Sequence, residues 1–190
     1  MSKAKKSGSA IFMYCVIAVT LLLSIVCFTL YYANIVRHGG ILWTGVTVFT
    51  ILYHFWLRII MGNVTKLFHI HYGQRWFRER PFEKKLYKLL RVRHWKEKVL
   101  TYDPDSYDVG KHTLEELACT MCKSEVDHWI NEIISLSTIL FGFLWGEWWI
   151  FTVTAVAAML FDAQFIVVQR YNRPVVLRGI ALHAHRSTAH

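Results

Sequence analysis

Apolar residues in this chain gather into long runs. No charged residue falls between Ile11 and Ala33 or between Ile41 and Leu57, and only Glu147 and Asp162 interrupt the stretch from Ile133 to Val168. About 20 apolar residues span a bilayer as a helix, and helices satisfy their own backbone in lipid. The runs therefore predict four crossings, at about 11–33, 41–61, 128–145 and 149–170, the last two joined by a tight turn at Gly146-Glu-Trp-Trp149. Residues 62–127 between the second and third crossings are polar and basic. The expected architecture is all-α: one polytopic membrane domain over 1–190, with four transmembrane helices and a cytoplasmic interfacial helical segment between the second and third.

Shorter patterns subdivide the insert. From Lys66 to Arg80 aromatic and basic residues alternate, a mixture suited to a membrane surface. Pro81 suits a helix's first turn and predicts an amphipathic helix from Phe82 to about Val99, apolar through Phe82, Leu86, Leu89, Leu90 and Trp95 and basic opposite. Tyr102–Gly110 is acidic and turn-forming, hence a surface loop. Thr113 with Glu116 three residues on matches a capping box opening a further helix. Pro174 disfavours helix at Arg173, so the fourth crossing should end at Gln169–Arg173.

Composition agrees with a membrane protein: 54% of residues are hydrophobic and 15% aromatic. The first run is longer than a signal-peptide core and has no small-residue cleavage site, so it reads as a retained anchor. Charge sets the orientation. Lys3, Lys5 and Lys6, thirteen Lys or Arg between Gly62 and Ser124, and Arg170, Arg173, Arg178 and Arg186 all fall on one side of a four-crossing arrangement. The connections on the other side hold only Arg37 and Glu147. By the positive-inside rule both termini and the insert face the cytoplasm, in a multi-pass protein of the cell membrane. The net charge of +9 then reflects topology and attraction to anionic lipid, with no nucleic-acid partner expected. The four cysteines lie in a span or on the reducing side, so no disulfide is expected.

Candidate chemistry centres on Glu125, His128 and Glu132, whose spacing shares one helical face at a membrane boundary. Imidazole is the side chain that exchanges a proton near neutral pH, and Glu125 or Asp127 can orient it or stabilise its cation. In the second crossing Thr47, His54 and Arg58 share a stripe. Either Arg58 snorkels to headgroups while His54 bonds a neighbouring helix, or both line a polar pocket. Three other chemistries lack their residues. There is one Glu-x-x-His where a di-iron bundle needs two, no His-x4-Asp, and no glycine-rich phosphate loop. His69-x-His71 has no ligating partner nearby, so no metal site is expected.

Three segments carry a resemblance: Leu86–Lys96 with its Trp95-Lys96 pair, Cys122–Trp129 with Glu125-x-x-His128-Trp129, and Gln169-Arg-Tyr-Asn-Arg-Pro174. In this order, over roughly residues 70–178, they resemble the glycosyl-diaponeurosporenoate acyltransferase family of small bacterial membrane proteins. That family's named activity is esterification of a fatty acyl group onto the sugar of a carotenoid glycolipid. The resemblance places Glu125, His128 and Trp129 in the motif core and Trp95, Lys96, Gln169, Arg170, Asn172 and Arg173 around it.

The leading expectation is an acyltransferase that esterifies a hydroxyl of a glycolipid, a carotenoid glycoside or related lipid, at the cytoplasmic face. His128 would be the general base and Glu125 its partner. Arg170 and Arg173 would donate to phosphates or the oxyanion, and Lys96 with the interfacial helix would hold an anionic donor. His54 and Arg58 belong to the candidate substrate pocket. No cofactor is expected beyond acyl-CoA or a similar acyl donor as co-substrate. The partners are membrane lipids, that donor and the glycolipid acceptor. The alternatives are a non-catalytic lipid-binding or assembly protein and metal-dependent lipid chemistry through His69, His71 and His128.

Overall fold

The computed structural model describes residues 8–99 and 104–188. Lys3, Lys5 and Lys6, and Tyr102 and Asp103 of the expected acidic loop, lie outside these residues. All regular structure among the described residues is helical: α1 (Gly8–Tyr32), α2 (Gly39–Val64), α3 (Glu83–Leu89), α4 (Val92–Trp95), α5 (Leu114–Ser137), α6 (Gly142–Trp145) and α7 (Trp148–Thr188), with short 3-10 turns between them. The chain divides into two compact units, Met1–Gly62 and Asn63–His190.

In the first unit α1 and α2 form a hairpin whose connection turns at Asn34, in the left-handed region at φ 59°. The helices approach closely at Gly45, where a Cβ would stand 3.0 Å from that of Cys27 and 3.1 Å from the Phe28 ring. Small residues permit this proximity, which supplies van der Waals packing where no hydrophobic drive exists in lipid. Thr20 and Ser24, both buried, satisfy their hydroxyls on the carbonyls of Val16 and Thr20, each at 2.7 Å. Most other apolar side chains of α1 are exposed.

The second unit is built on α5 and α7, which run antiparallel: Cys122 meets Arg173, Glu125 meets Arg170, and His128 meets Asp162. Leu117, Ala118, Met121 and Ile134 of α5 and Phe151, Ala155 and Ile166 of α7 are buried. The reversal between α6 and α7 uses positive φ at Gly146 (73°) and Glu147 (52°). Gly142 has no room for a side chain, since a Cβ there would lie 2.4 Å from the Trp148 ring. Thr113 caps α5 with the expected capping box. The backbone N–H of Thr113 holds the Glu116 carboxyl below its usual range.

Two expectations need correction. The helix predicted over Phe82–Val99 breaks at Arg91, which takes φ +50° between α3 and α4. Tyr87 and Val92 are both buried, yet five residues of straight helix would turn them about 140° apart. The left-handed residue resolves that conflict, and the Trp95 indole donates to the Leu90 carbonyl across the bend at 2.9 Å. The fourth helix does not stop at Arg173. α7 continues through Pro174 to Thr188, because proline removes one backbone bond while side-chain pairing holds Arg170 and Arg173 in helical register.

Three helical stretches, Ile11–Tyr32, Gly39–Leu67 and Trp148–Arg186, are long and apolar enough to cross a membrane. The run expected at 128–145 is not among them. Its polar start lies inside α5, and its apolar end passes into the 3-10 turn Thr138–Phe141 and α6, so no single helix carries the whole run.

Candidate active site

The polar residues of the second unit form two clusters along the α5–α7 seam. The first surrounds Glu125, which is fully buried. Arg173 Nη2 donates to its Oε2, and Arg170 Nη1 donates to its Oε1 at 2.5 Å. Arg170 also donates through Nε and Nη2 to Glu83 Oε1, at 3.0 and 2.6 Å, and to the carbonyls of Trp76 and Arg78 at 3.4 and 3.2 Å. A guanidinium has five N–H groups, and here five bonds use them. Tyr87 donates to Glu83 Oε2 at 2.8 Å. Burial and that bond push its phenol well above its ordinary value, so it stays a neutral donor. Arg173 donates to Cys122 Sγ at 3.1 Å and lies over the Phe77 ring. Two carboxylates thus balance two guanidiniums out of water, the condition under which buried charges persist.

The second cluster holds His128. Its Nδ1 lies 2.8 Å from Asp162 Oδ1, and Asn131 Nδ2 donates to the same oxygen at 3.2 Å. A carboxylate oxygen accepts, so Nδ1 carries the proton and Nε2 keeps a lone pair. The imidazole stacks on Phe165 at 4.4 Å with planes 3° apart, which fixes its orientation. Asp162 is 1% exposed while the histidine side chain keeps 20%. A buried carboxylate orienting a partly open imidazole is the arrangement a general base requires.

The expected pairing of His128 with Glu125 is therefore replaced by His128 with Asp162. Glu125 is drawn away by two guanidiniums that attract it more strongly than an imidazole one turn along. For the same reason Arg170 has no N–H left for a substrate phosphate. Asp127, the other carboxylate considered, accepts from Thr65 Oγ1 at 2.5 Å. Burial raises the Asp127 carboxyl from its usual value.

The remaining candidates distribute as follows. Lys96 donates to Asn172 Oδ1 at 2.9 Å and lies over the Tyr171 ring, joining the first and last motifs. Gln169 donates to the Tyr107 hydroxyl at 3.1 Å. Trp129 packs edge-on against Trp76. Trp95 is tied to the local bend, its indole donating to Leu90 within its own motif. His54 and Arg58 lie one turn apart on α2, half-buried, in the first unit. Among the described residues, no group of three or more His, Cys, Asp or Glu is arranged to hold a metal ion.

Sequence reasoning missed Glu83 and Tyr87 as partners of the arginines, and Asp162 as the partner of His128. Each left a signal. Asp162 is a lone carboxylate deep in an apolar run, and Glu83 is the one acid between Arg80 and Arg93. Beside the first cluster a cavity of about 450 Å³ opens, walled by Leu86 and Tyr87 of α3, Trp129 and Glu132 of α5, and Ala163 and Ile166 of α7.

Comparison with known proteins bears on the same stretch. A family model described as glycosyl-4,4'-diaponeurosporenoate acyltransferase matches residues 73–181, more than half of the chain and all three motifs. Searches of curated proteins and of solved structures found no match. With both polar clusters inside the matched segment, the chain belongs to the glycosyl-4,4'-diaponeurosporenoate acyltransferase family.

Proposed function

We propose that this protein transfers a fatty acyl group to a hydroxyl of a membrane glycolipid, with His128 as general base and Asp162 holding its imidazole. The observation that carries this reading is the His128–Asp162 pair, set on Phe165 inside the family-matched segment. The lone pair on Nε2 takes the proton of the acceptor hydroxyl as its oxygen attacks the acyl carbonyl. The C–O ester bond forms, the bond to the donor's leaving group breaks, and with acyl-CoA the imidazolium returns the proton to the departing thiolate. Asp162 stabilises the transient imidazolium. Nothing in this sequence requires a cofactor.

The acceptor is a carotenoid glycoside or a related glycolipid, a reading supported by the family's name. Glu125 and Glu83 serve as counter-charges that hold Arg170 and Arg173, and through them the three motifs, in register. Lys96, Asn172, Gln169 and Trp129 shape the surrounding substrate region.

Four crossings with both termini and residues 62–127 at the cytoplasmic face fit the charge distribution, with the apolar stretch of α5 through α6 as the third. This puts the protein in the cell membrane, with membrane lipids, an acyl donor and a glycolipid acceptor as its partners.

Transfer assayed with purified protein, an acyl-CoA and a glycolipid tests the reading. His128→Ala should lower turnover by about 10²- to 10⁴-fold, the usual contribution of a positioned base. Asp162→Asn should lower kcat with a smaller change in KM, because it alters the base without touching substrate. Wild-type turnover in His128→Ala would overturn the assignment.

A further inference from the structure

We propose that the cavity of about 450 Å³ beside the arginine cluster holds the acyl chain of an anionic acyl donor, with Arg80 at its rim taking the donor's phosphate. This rests on the acyl-transfer reading and adds the donor's site to it.

The cavity has a direction. Trp76 and Phe82 on its wall are 54% and 62% exposed, whereas Tyr87, Glu132 and Ile166 are 7%, 8% and 6% exposed. The first pair therefore frames a mouth and the second group lines the interior. Arg170, whose side chain bonds the carbonyls of Trp76 and Arg78, marks the mouth end of α7. Ala163, seven residues earlier on the same wall, lies about 10 Å along the helix from it. Trp129, next in sequence to His128, is 42% exposed and packs edge-on against Trp76, so it stands with the mouth residues. The volume falls in the range of about 300 to 1,000 Å³ typical of small-ligand sites, and the walls are mainly aliphatic and aromatic.

Charge at the mouth identifies the kind of head group. The guanidinium of Arg80 is exposed and makes no hydrogen bond or ion pair with any described residue, in contrast to Arg170 and Arg173. Glu83, an acid of the wall, is already neutralised by Arg170 and by the Tyr87 hydroxyl. Lys85 and Lys88 on α3 are exposed and add to the positive field. A planar guanidinium beside an apolar mouth suits a phosphate attached to an acyl chain. A neutral lipid would gain nothing from Arg80.

Equilibrium binding of palmitoyl-CoA to the full chain in nanodiscs tests this. Arg80→Ala should weaken binding about tenfold, and Arg80→Lys by less. The wild-type affinity should fall as salt rises. Ala163→Trp should fill part of the cavity, weakening palmitoyl-CoA binding more than octanoyl-CoA binding. His128→Ala should bind palmitoyl-CoA as the wild type does while transferring nothing. That variant separates the two ideas: intact binding with unaffected turnover would defeat the catalytic reading alone. Wild-type binding in both Arg80→Ala and Ala163→Trp would overturn the cavity assignment. Displacement of palmitoyl-CoA by equimolar dioleoyl phosphatidylglycerol would overturn it in favour of a structural lipid. Arg80 is exposed, so its variants keep the test valid if the tryptophan variant fails to fold.

Discussion

Glu125 shows how burial decides a residue's role. A carboxylate with no solvent contact persists only beside opposite charge, and two guanidiniums supply it. Glu125→Gln should therefore unfold the protein before it informs on catalysis. It leaves the Arg173 side chain, 2% exposed, without its counter-charge, and the loss should be about 3–5 kcal/mol in a denaturation midpoint experiment. His128→Ala takes one partner from the buried Asp162 while Asn131 still donates to it, so the midpoint should fall by less than in Glu125→Gln. Tyr87 carries a pH signature. Its phenol lies above the ordinary 10.0, through burial first and the bond to Glu83 second. A raised folded-state value means that the linked stability is whole below pH 10 and is lost as pH climbs above it. The stability difference between wild type and Tyr87→Phe should be flat below pH 10 and shrink beyond. The three-residue spacing of Glu125 and His128 was legible in the sequence. The partner of His128 was not, because Asp162 is 34 residues away and periodicity says nothing of which helix packs alongside.

Among the elements, α7 shows how tertiary pairing overrides local preference. Pro174 by itself argues for a helix end, yet ion pairs at Arg170 and Arg173 anchor the turn before it and the helix continues. Helix ends set by capping are legible, as at Thr113, because the signal lies within four residues. The break between α3 and α4 was hidden because it answers to burial of Tyr87 and Val92, a demand of the packed unit that leaves Arg91 in a conformation its own sequence does not favour. The α6–α7 reversal yields a direct test. Gly142→Ala would force its methyl against the Trp148 ring, costing about 1–3 kcal/mol in thermal or denaturant unfolding. An unchanged midpoint would mean that Trp148 swings aside freely.

At the scale of the whole molecule, long uncharged runs named two of the helices closely, and α1 and α2 begin and end within a few residues of the expected spans. Hydropathy was less informative for 128–145, where one helix carries both buried ion pairs and an apolar end, and composition cannot separate an interior polar face from a membrane boundary. The four-crossing arrangement predicts that single cysteines placed in a cysteine-free protein at Gly110 and Arg186 react with a cytoplasm-side, membrane-impermeant maleimide, and that one at Arg37 does not. Reaction at Arg37 from the same side would reverse the topology. The central claim is acyl transfer through the His128–Asp162 pair. Its most direct test is mass spectrometry of the lipids of cells lacking the protein and of cells expressing the wild type, His128→Ala or Asp162→Asn at equal level. The account predicts an acylated glycolipid with the wild type, none with His128→Ala and a reduced amount with Asp162→Asn. The same acylated lipid in the His128→Ala cells, or no new lipid with the wild type, would contradict it.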